Sequence, residues 1–349
     1  MNLKRVALPA FALLLGLTLA LVLAALLGEN PWFVLGVLAR GALGSATDRG
    51  YSLYYATPLL FTGLAVAWGL KAGLFNIGAE GQMLVGGVAI AAVGIGLPNL
   101  PGVIALPLGC LAAFVAGGVW GLLAGWLKAQ RLCHEVLTTI LLNFVAYGLT
   151  TFIILQVLKN PNSQVPETSE VGPGFSVAAL GGWLGGSSPA NWTLALGLAA
   201  SAAFAVIMLY SRFGFHQRLV GGAPRAAWLA GLAVNKQIMF AMFISGGLAG
   251  LAAVSPVLGF ALKVREGFSA NAGFVGVAVA LLGRGSAVGI VGAALLFGAL
   301  TKGALDLDLD THFISRDLAL VIQALIVLLL AGQNGLLALW QALLCWVRT

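Results

Sequence analysis

Charged residues are scarce in this chain: only 8% of its 349 residues are Asp, Glu, Lys or Arg, whereas 60% are hydrophobic. An ordinary soluble domain carries about 25% charge. The composition therefore excludes a soluble globular protein and predicts a chain that crosses a membrane several times. The apolar runs extend over about 15–25 residues rather than alternating over ten, which favours an all-α membrane helix bundle over a barrel.

Cysteine and nucleotide-binding motifs are also rare or missing. The three cysteines are scattered and form neither a disulfide framework nor a metal-binding spacing. The motif G-x-x-x-x-G-K-[ST] is absent, so we expect no ATP hydrolysis by this chain. His134-Glu135 begins like a zinc-protease motif, but Thr138 occupies the second histidine position. The sequence thus predicts no enzyme, no metal and no other cofactor.

The distribution of charge predicts how the helices are oriented. Lys4 and Arg5 precede the first apolar run, which places the N-terminus in the cytoplasm. A single transmembrane domain over residues 1–349, with ten spans and both termini inside, leaves every acidic residue outside except Glu80 and Glu135. The net charge of +7 then reflects anchoring of helix ends rather than nucleic-acid binding.

The expected spans follow the apolar runs, and the eighth is short, so the count falls to eight or nine if that helix is re-entrant. A short interfacial helix is expected at residues 31–43, and a surface tail at 336–348. Residues 159–191 are predicted as an extracytoplasmic loop, 211–236 as a cytoplasmic loop, and 306–317 as an acidic outer loop. The ten spans are residues 6–27, 51–70, 81–97, 103–127, 136–158, 192–210, 237–254, 271–282, 287–305 and 318–331.

A polar stretch interrupts the apolar runs at residues 73–83 and contains Glu80, one of eleven acids in the chain. A charge in or near a bilayer is costly and usually functional. The pattern N-x-G-x-x-G at Asn76 recurs at Asn271, and paired glycine-interrupted segments indicate the central site of a transporter. With 48 glycines in the chain, coincidence explains the recurrence equally well.

Amides dominate the few polar residues expected inside the membrane, which suits hydrogen bonding to a neutral solute rather than ion transfer. Neighbouring phenylalanines offer faces on which a planar base or a sugar can stack. Structural alternatives stay open: helix packing for each Phe, an interhelical hydrogen bond for Asn143, and capping of the next helix for Glu80. The candidate residues of the solute path are Phe75, Asn76, Glu80, Gln82, Asn143, Phe268, Asn271 and Phe274.

Two further patterns concern helix packing and partners. Gly117, Gly121 and Gly125 recur at every fourth position, which predicts close approach of a neighbouring helix. In the basic loop, Pro224 marks a helix start and Gly231 its end, with alanines between them. Such a helix either inserts into a groove of a partner protein or is an ordinary loop helix.

Three segments of the chain resemble one known family. Residues 73–83, Gly-Leu-Phe-Asn-Ile-Gly-Ala-Glu-Gly-Gln-Met, resemble the signature of the permease subunits of bacterial ABC importers for nucleosides and simple sugars. Residues 277–284 with 289–298 resemble its second-half signature, and residues 224–231 resemble its coupling-helix loop. The resemblance extends over about residues 50–335 and favours the nucleoside branch.

The resemblance implies a division of labour among several proteins. The permease moves solute by alternating access, and a separate ABC ATPase docks on the coupling helix. A second homologous permease completes the channel, commonly as a heterodimer, and an extracytoplasmic substrate-binding protein delivers the solute. The implied location is the bacterial inner membrane, among lipid. The residues implied to contact the ATPase are Pro224, Arg225, Ala226, Ala227, Trp228 and Gly231.

One alternative belongs to a different class of transporter. An ion-coupled secondary transporter of a small polar solute needs no ATPase, but it needs essential carboxylates inside the membrane. Only Glu80 and Glu135 qualify for that role.

Overall fold

A computed structural model of the protein describes residues 3–26, 28–181, 187–311, 321 and 324. Apart from residues 321 and 324, the expected tenth span, the surface tail and the outer segment beyond residue 311 lie outside the described residues. The helices of the described part are α1 (Leu3–Leu26), α2 (Pro31–Leu43), α3 (Ala46–Lys71), α4 (Ala79–Gly96), α5 (Gly102–Arg131), α6 (Glu135–Phe152), α7 (Thr193–Tyr210), α8 (Arg212–Gly222), α9 (Pro224–Leu229), α10 (Val234–Leu251), α11 (Ala272–Leu282) and α12 (Ala287–Asp310).

Short helical turns extend two of these helices. A π-helical turn at Ile153–Val157 continues α6, and the turns Val254–Pro256 and Val257–Ala261 follow α10. A 3-10 turn at Pro173–Phe175 lies in the loop before α7. Within the described ranges, isolated bridges are the only strand-like pairing, so this part of the chain is helical, as its composition predicts.

Seven helices of the described part are long and apolar enough to cross a membrane. They make this a multi-pass membrane protein, while the number of ten spans stays a prediction. α11 has 11 residues, or about 16 Å at 1.5 Å per residue, which is well short of the hydrocarbon thickness of about 30 Å. The seven are α3, α4, α5, α6 with its π-helical turn, α7, α10 with its following turns, and α12.

The acidic outer loop expected from residue 306 is wrong at its start, because α12 continues to Asp310. Asp306 lies one turn after Lys302, and their carboxylate and ammonium groups are 2.5 Å apart. Lys302 also lies 3.3 Å from Asp48 near the start of α3. The paired charges let the helix continue where the acidic composition alone suggested solvent.

The loop predicted to be cytoplasmic also contains more structure than expected, since α8 precedes the predicted short helix α9. The Ser211 hydroxyl caps α8 by accepting the Gly214 N–H at 2.9 Å. This helix was not predicted from apolar periodicity, because it has glycines near both ends and glycine disfavours helix.

The core is built around α3, whose residues 56–69 are buried except Pro58. α5 packs along α10 through facing glycines, as the glycine at every fourth position of α5 predicts. A Cβ atom on Gly117 would lie 2.5 Å from the Gly246 carbonyl, and one on Gly121 would lie 3.0 Å from Gly246 Cα. The two backbones therefore touch directly, and a side chain on either glycine would separate them.

Candidate functional site

The break between α3 and α4 turns the chain back along α3. Gly73 has φ +73°, which favours glycine, and the Leu74 N–H donates to the Gly69 carbonyl at 2.9 Å. Ser245 of α10 fixes the returning segment. Its hydroxyl group donates to the Ala65 carbonyl at 2.6 Å and accepts from the Asn76 amide at 2.8 Å. As a result, the segment that leads into α4 runs back beside residues 65–69 of α3.

The start of α11 lies at the same level of the bundle. The Thr62 hydroxyl of α3 donates to the Ala272 carbonyl at 3.0 Å. Gly273 lies so close to the start of α4 that a Cβ atom on it would lie 2.1 Å from the Glu80 backbone nitrogen. The two N-x-G-x-x-G segments are thus two helix starts in direct contact.

Glu80 is fully buried and joins these two helix starts. Its carboxyl group accepts the Gly273 N–H at 2.8 Å, the Tyr147 hydroxyl at 2.9 Å and the Ser269 hydroxyl. An acidic side chain is favoured at a helix N-terminus, where free N–H groups and the positive end of the dipole meet it. Glu80 therefore caps α11, whereas the alternative stated from the sequence was a cap on its own helix.

The buried amides hold the start of α4. Asn143 accepts the Gly81 N–H at 2.9 Å and donates to the Ile77 carbonyl at 3.0 Å. Asn76 accepts the Gly78 N–H at 2.9 Å and donates to Gln82 at 2.9 Å. These three side chains are buried and bind other parts of the chain, which is the arrangement expected of a fixed frame.

A chamber of about 440 Å³, whose described lining residues carry no charge, adjoins this junction. Phe268 and Asn271 line it, and Ser269 both lines it and donates to Glu80. Phe75 is half-buried and Phe274 is 40% exposed; neither is among the described lining residues. The described lining residues are Tyr51, Tyr54, Tyr55, Pro58, Leu59, Met83, Pro256, Phe260, Phe268, Ser269, Ala270, Asn271, Ala272, Val275, Thr301, Ala304 and Leu305.

Sequence reasoning missed the aromatic wall of this chamber. Three of the five tyrosines in the chain fall within residues 51–55, and that clustering was the available signal. Two hydroxyl residues at the junction, Tyr147 and Ser245, carried no comparable signal, because only the fold brings them to Glu80 and Asn76.

The predicted coupling segment forms α9, a single short helix whose chain then turns at Gly231 with φ +81°. Ala227 is buried against the protein, whereas Trp228 and Leu229 are 70% and 77% exposed. Gly221, near the end of α8, lies just before this helix. A Cβ atom on Gly73 would lie 2.9 Å from the Cα atom of Gly221. The end of α8 therefore contacts the backbone that leads to the helix junction.

Part of the loop between α6 and α7, residues 167–177, pairs with the segment that follows α10. The Thr168 N–H donates to the Val264 carbonyl at 2.9 Å. Glu167 binds Lys263 and Arg265, each at 2.9 Å. The hydrogen bond from Lys263 lowers the pKa of Glu167 to about 2, and Arg265 adds to the effect although partial desolvation opposes it.

Two remaining observations concern ions. In the described ranges, no three His, Cys, Asp or Glu side chains gather as a metal site. Glu135, the second acid expected near the inner face, lies 2.8 Å from Lys128.

Comparison with known proteins gives consistent results. The family model described as the branched-chain amino acid transport system / permease component matches residues 49–331. The guanosine ABC transporter permease protein NupP of Bacillus subtilis is 37% identical over 340 residues, or 96% of this chain and 95% of that protein. The glucose ABC transporter permease protein TsgB13 of Haloferax volcanii is 33% identical, over 92% and 86%. The nucleoside ABC transporter permease protein NupB of Lactococcus lactis is 33% identical, over 86% and 84%.

Proposed function

We propose that this chain is the membrane subunit of an ATP-driven importer for nucleosides or related simple sugars. The chain belongs to the family of permease components of branched-chain amino acid transport systems, and the proposal proceeds from that membership. Similar chains are named as permeases for guanosine, glucose and nucleosides. The observation that supports the proposal most is that the starts of α4 and α11 meet at Glu80, beside a chamber whose described lining residues carry no charge. Helices broken near the midplane mark the substrate sites of many transporters.

The eight path residues divide into two groups in this proposal. Phe268 and Asn271 contact the passing solute, with Phe75 and Phe274 farther along the path. Asn76, Glu80, Gln82 and Asn143 act from behind: Glu80 joins the two helix starts, and the three amides hold the start of α4 in place. The described lining residues of the chamber carry no charge, which suits weak binding and easy release of a neutral solute.

The energy for transport comes from a separate ABC ATPase in this proposal, and the chain itself hydrolyses no ATP. Residues 211–236 are cytoplasmic, and α9 is the coupling helix that inserts into the ATPase. Its exposed Trp228 and Leu229 give the apolar anchor, Arg225 gives a positive charge, and buried Ala227 attaches the helix to the permease. Pro224, Ala226 and Gly231 complete the docking segment.

On the other side of the membrane, a substrate-binding protein docks on residues 159–191 and 255–269. The Glu167 ion pairs support this assignment, since they hold both segments in one surface. A second homologous permease, commonly a different gene product, completes the channel. The proposed location is the bacterial cytoplasmic membrane, with ten spans and both termini inside.

Transport proceeds by alternating access. Closure of the ATPases moves α9 and α8, and α8 moves the 71–73 backbone that it contacts. The helix starts at Glu80 then shift relative to the chamber wall, so the chamber opens toward one side at a time. ATP binding shifts the equilibrium only as far as its differential affinity for the two states allows.

Reconstitution tests this function against the ion-coupled alternative. Proteoliposomes containing the permease pair, the ATPase and the binding protein are expected to accumulate radiolabelled nucleoside with ATP and not with a proton gradient alone. The control complex carries an ATPase that binds but does not hydrolyse ATP. Accumulation by the permease chain alone under a proton gradient would overturn the proposal.

A further inference from the structure

The chamber beside the helix junction has the chemistry of a site for one class of solute. Its volume of about 440 Å³ lies within the range of about 300–1,000 Å³ that is usual for small-molecule sites. Such sites are mostly apolar and carry a few polar groups that orient the ligand. Among the described lining residues none is charged, so an ionic solute would find no counter-charge there.

Aromatic rings form one wall of the chamber. The Tyr54 ring lies 5.4 Å from the Phe260 ring and 5.2 Å from the Tyr55 ring, at steep mutual angles. Phe268 lies on the α4 side, with its ring tip over Gly87. Base-on-aromatic stacking contributes substantially to binding and tolerates different bases, so this wall suits a planar base.

Three polar groups of the chamber have no partner in the described part of the chain: the hydroxyls of Tyr51 and Tyr54 and the amide of Asn271. Asn271 immediately precedes α11, but its side chain does not cap the helix. Ala270 and Asn271 both have left-handed backbones, with φ 47° and 60°. Strain of this kind in non-glycine residues persists at binding sites, where the geometry serves a ligand.

Resting on the proposed function, we infer that this chamber is the solute subsite of the permease and that it selects nucleosides over sugars, with the base on the Tyr54 and Phe268 rings and Asn271 on its polar edge. A sugar can lay its C–H face on an aromatic ring, but the hydroxyl groups around its edge need more partners than the three free polar groups of the described chamber lining provide. A nucleoside places an aromatic face there and keeps its hydroxyls at one end.

The test measures ATP-dependent uptake of radiolabelled guanosine, uridine and glucose by the full reconstituted complex. The variants are Tyr54→Leu, Phe268→Leu and Asn271→Gly; the last removes the amide while glycine keeps the left-handed backbone accessible. Loss of one stacking face is expected to raise the KM for both nucleosides about tenfold. Matched controls, Tyr210→Leu and Phe152→Leu, alter exposed rings of α7 and α6 and should keep the wild-type KM.

Tyr54→Phe separates recognition from folding, because it retains the ring face and should keep the KM within about threefold. The subsite is overturned if the leucine variants match their controls, or if Tyr54→Phe is as impaired as Tyr54→Leu. The choice of nucleoside is overturned if the wild-type complex takes up glucose more efficiently than either nucleoside. A wild-type complex that takes up no probe with ATP would instead contradict the proposed function.

Discussion

The carboxyl group of Glu80 accepts the Gly273 N–H at 2.8 Å, and this single contact joins two helix starts that are 193 residues apart. Both helices point their positive dipole ends toward the same acidic side chain. Tyr147 and Ser269 supply two more donors. Any separation of α4 from α11 must therefore break bonds to Glu80.

Glu80→Gln tests whether this junction takes part in transport. Glutamine keeps the shape and one acceptor oxygen but replaces the other oxygen with an amide donor, which cannot accept the N–H and O–H groups that now bind Glu80. A buried donor left without an acceptor costs about 1–3 kcal/mol. We expect nucleoside uptake to fall about tenfold or more, while co-purification with the ATPase is unchanged. Glu170→Gln, on the exposed loop, is the control. Loss of assembly would assign Glu80 a purely structural role.

Gly273→Ala tests the close approach of the two helix starts. Its Cβ atom would lie 2.1 Å from the Glu80 backbone nitrogen, and backbone cannot rotate away as a side chain can. We expect destabilisation of about 1–3 kcal/mol or more, seen as a lower melting temperature in detergent. Gly292→Ala is the matched control, because nothing lies within 4 Å of its Cβ position. Equal melting temperatures for the two variants would contradict this geometry.

Trp228→Ala tests the coupling helix. The indole is 70% exposed, so its removal should leave the fold intact, and interfacial tryptophans commonly contribute about 2 kcal/mol or more. We expect at least a tenfold loss of solute-stimulated ATP hydrolysis in the reconstituted complex. Trp32→Ala removes an indole with 79% exposure on α2 and should behave as wild type. An unchanged Trp228→Ala complex would exclude this surface as the ATPase contact.

The ion pairs of Glu167 predict a pH dependence of the stability of this loop surface. Its pKa is lowered to about 2 in the folded protein, against about 4.3 for an unperturbed Glu. The stabilisation is therefore complete above about pH 4.3 and is lost as the pH falls from there toward about 2. The melting-temperature difference between wild type and Glu167→Gln should be constant at neutral pH and shrink below about pH 4.3.

The matched control for that series is Glu170→Gln, in the same loop but on an exposed side chain. It should show no comparable change between neutral and acid pH. A difference between wild type and Glu167→Gln that persists undiminished at about pH 3 would show that Lys263 and Arg265 do not lower the pKa of Glu167.

Long apolar runs made most helix positions predictable from the sequence. α2 is an example, since Pro31 at the first position and Leu43 at the last mark the expected ends. The glycine-spaced face of α5 was also predictable, because small residues leave few ways to pack. The course of α12 past Asp306 was not, because Lys302 and Asp48 neutralise a charge that the local sequence presents as solvated.

At the site, the chemistry was visible in the sequence but the partners were not. Glu80 is notable because acids are rare in this chain. Its position at the start of α4 suggested that it caps α4. Its actual partner, Gly273, is brought to it by the fold alone, as is the Tyr147 hydroxyl. Local sequence therefore indicates which side chain is unusual, whereas long-range packing decides what it binds.

In the proposed mechanism, the contact between Gly221 and Gly73 sets the length of the mechanical link between α9 and the helix start at Glu80. Only residues 74–79 separate the backbone touched by α8 from the helix start at Glu80, and hydrogen bonds fix that segment to α3 and α10. In the proposed mechanism, a push on α9 therefore passes through this short lever rather than along a whole transmembrane helix. Lengthening the lever by one inserted glycine would let ATP hydrolysis continue while the chamber stops responding to it.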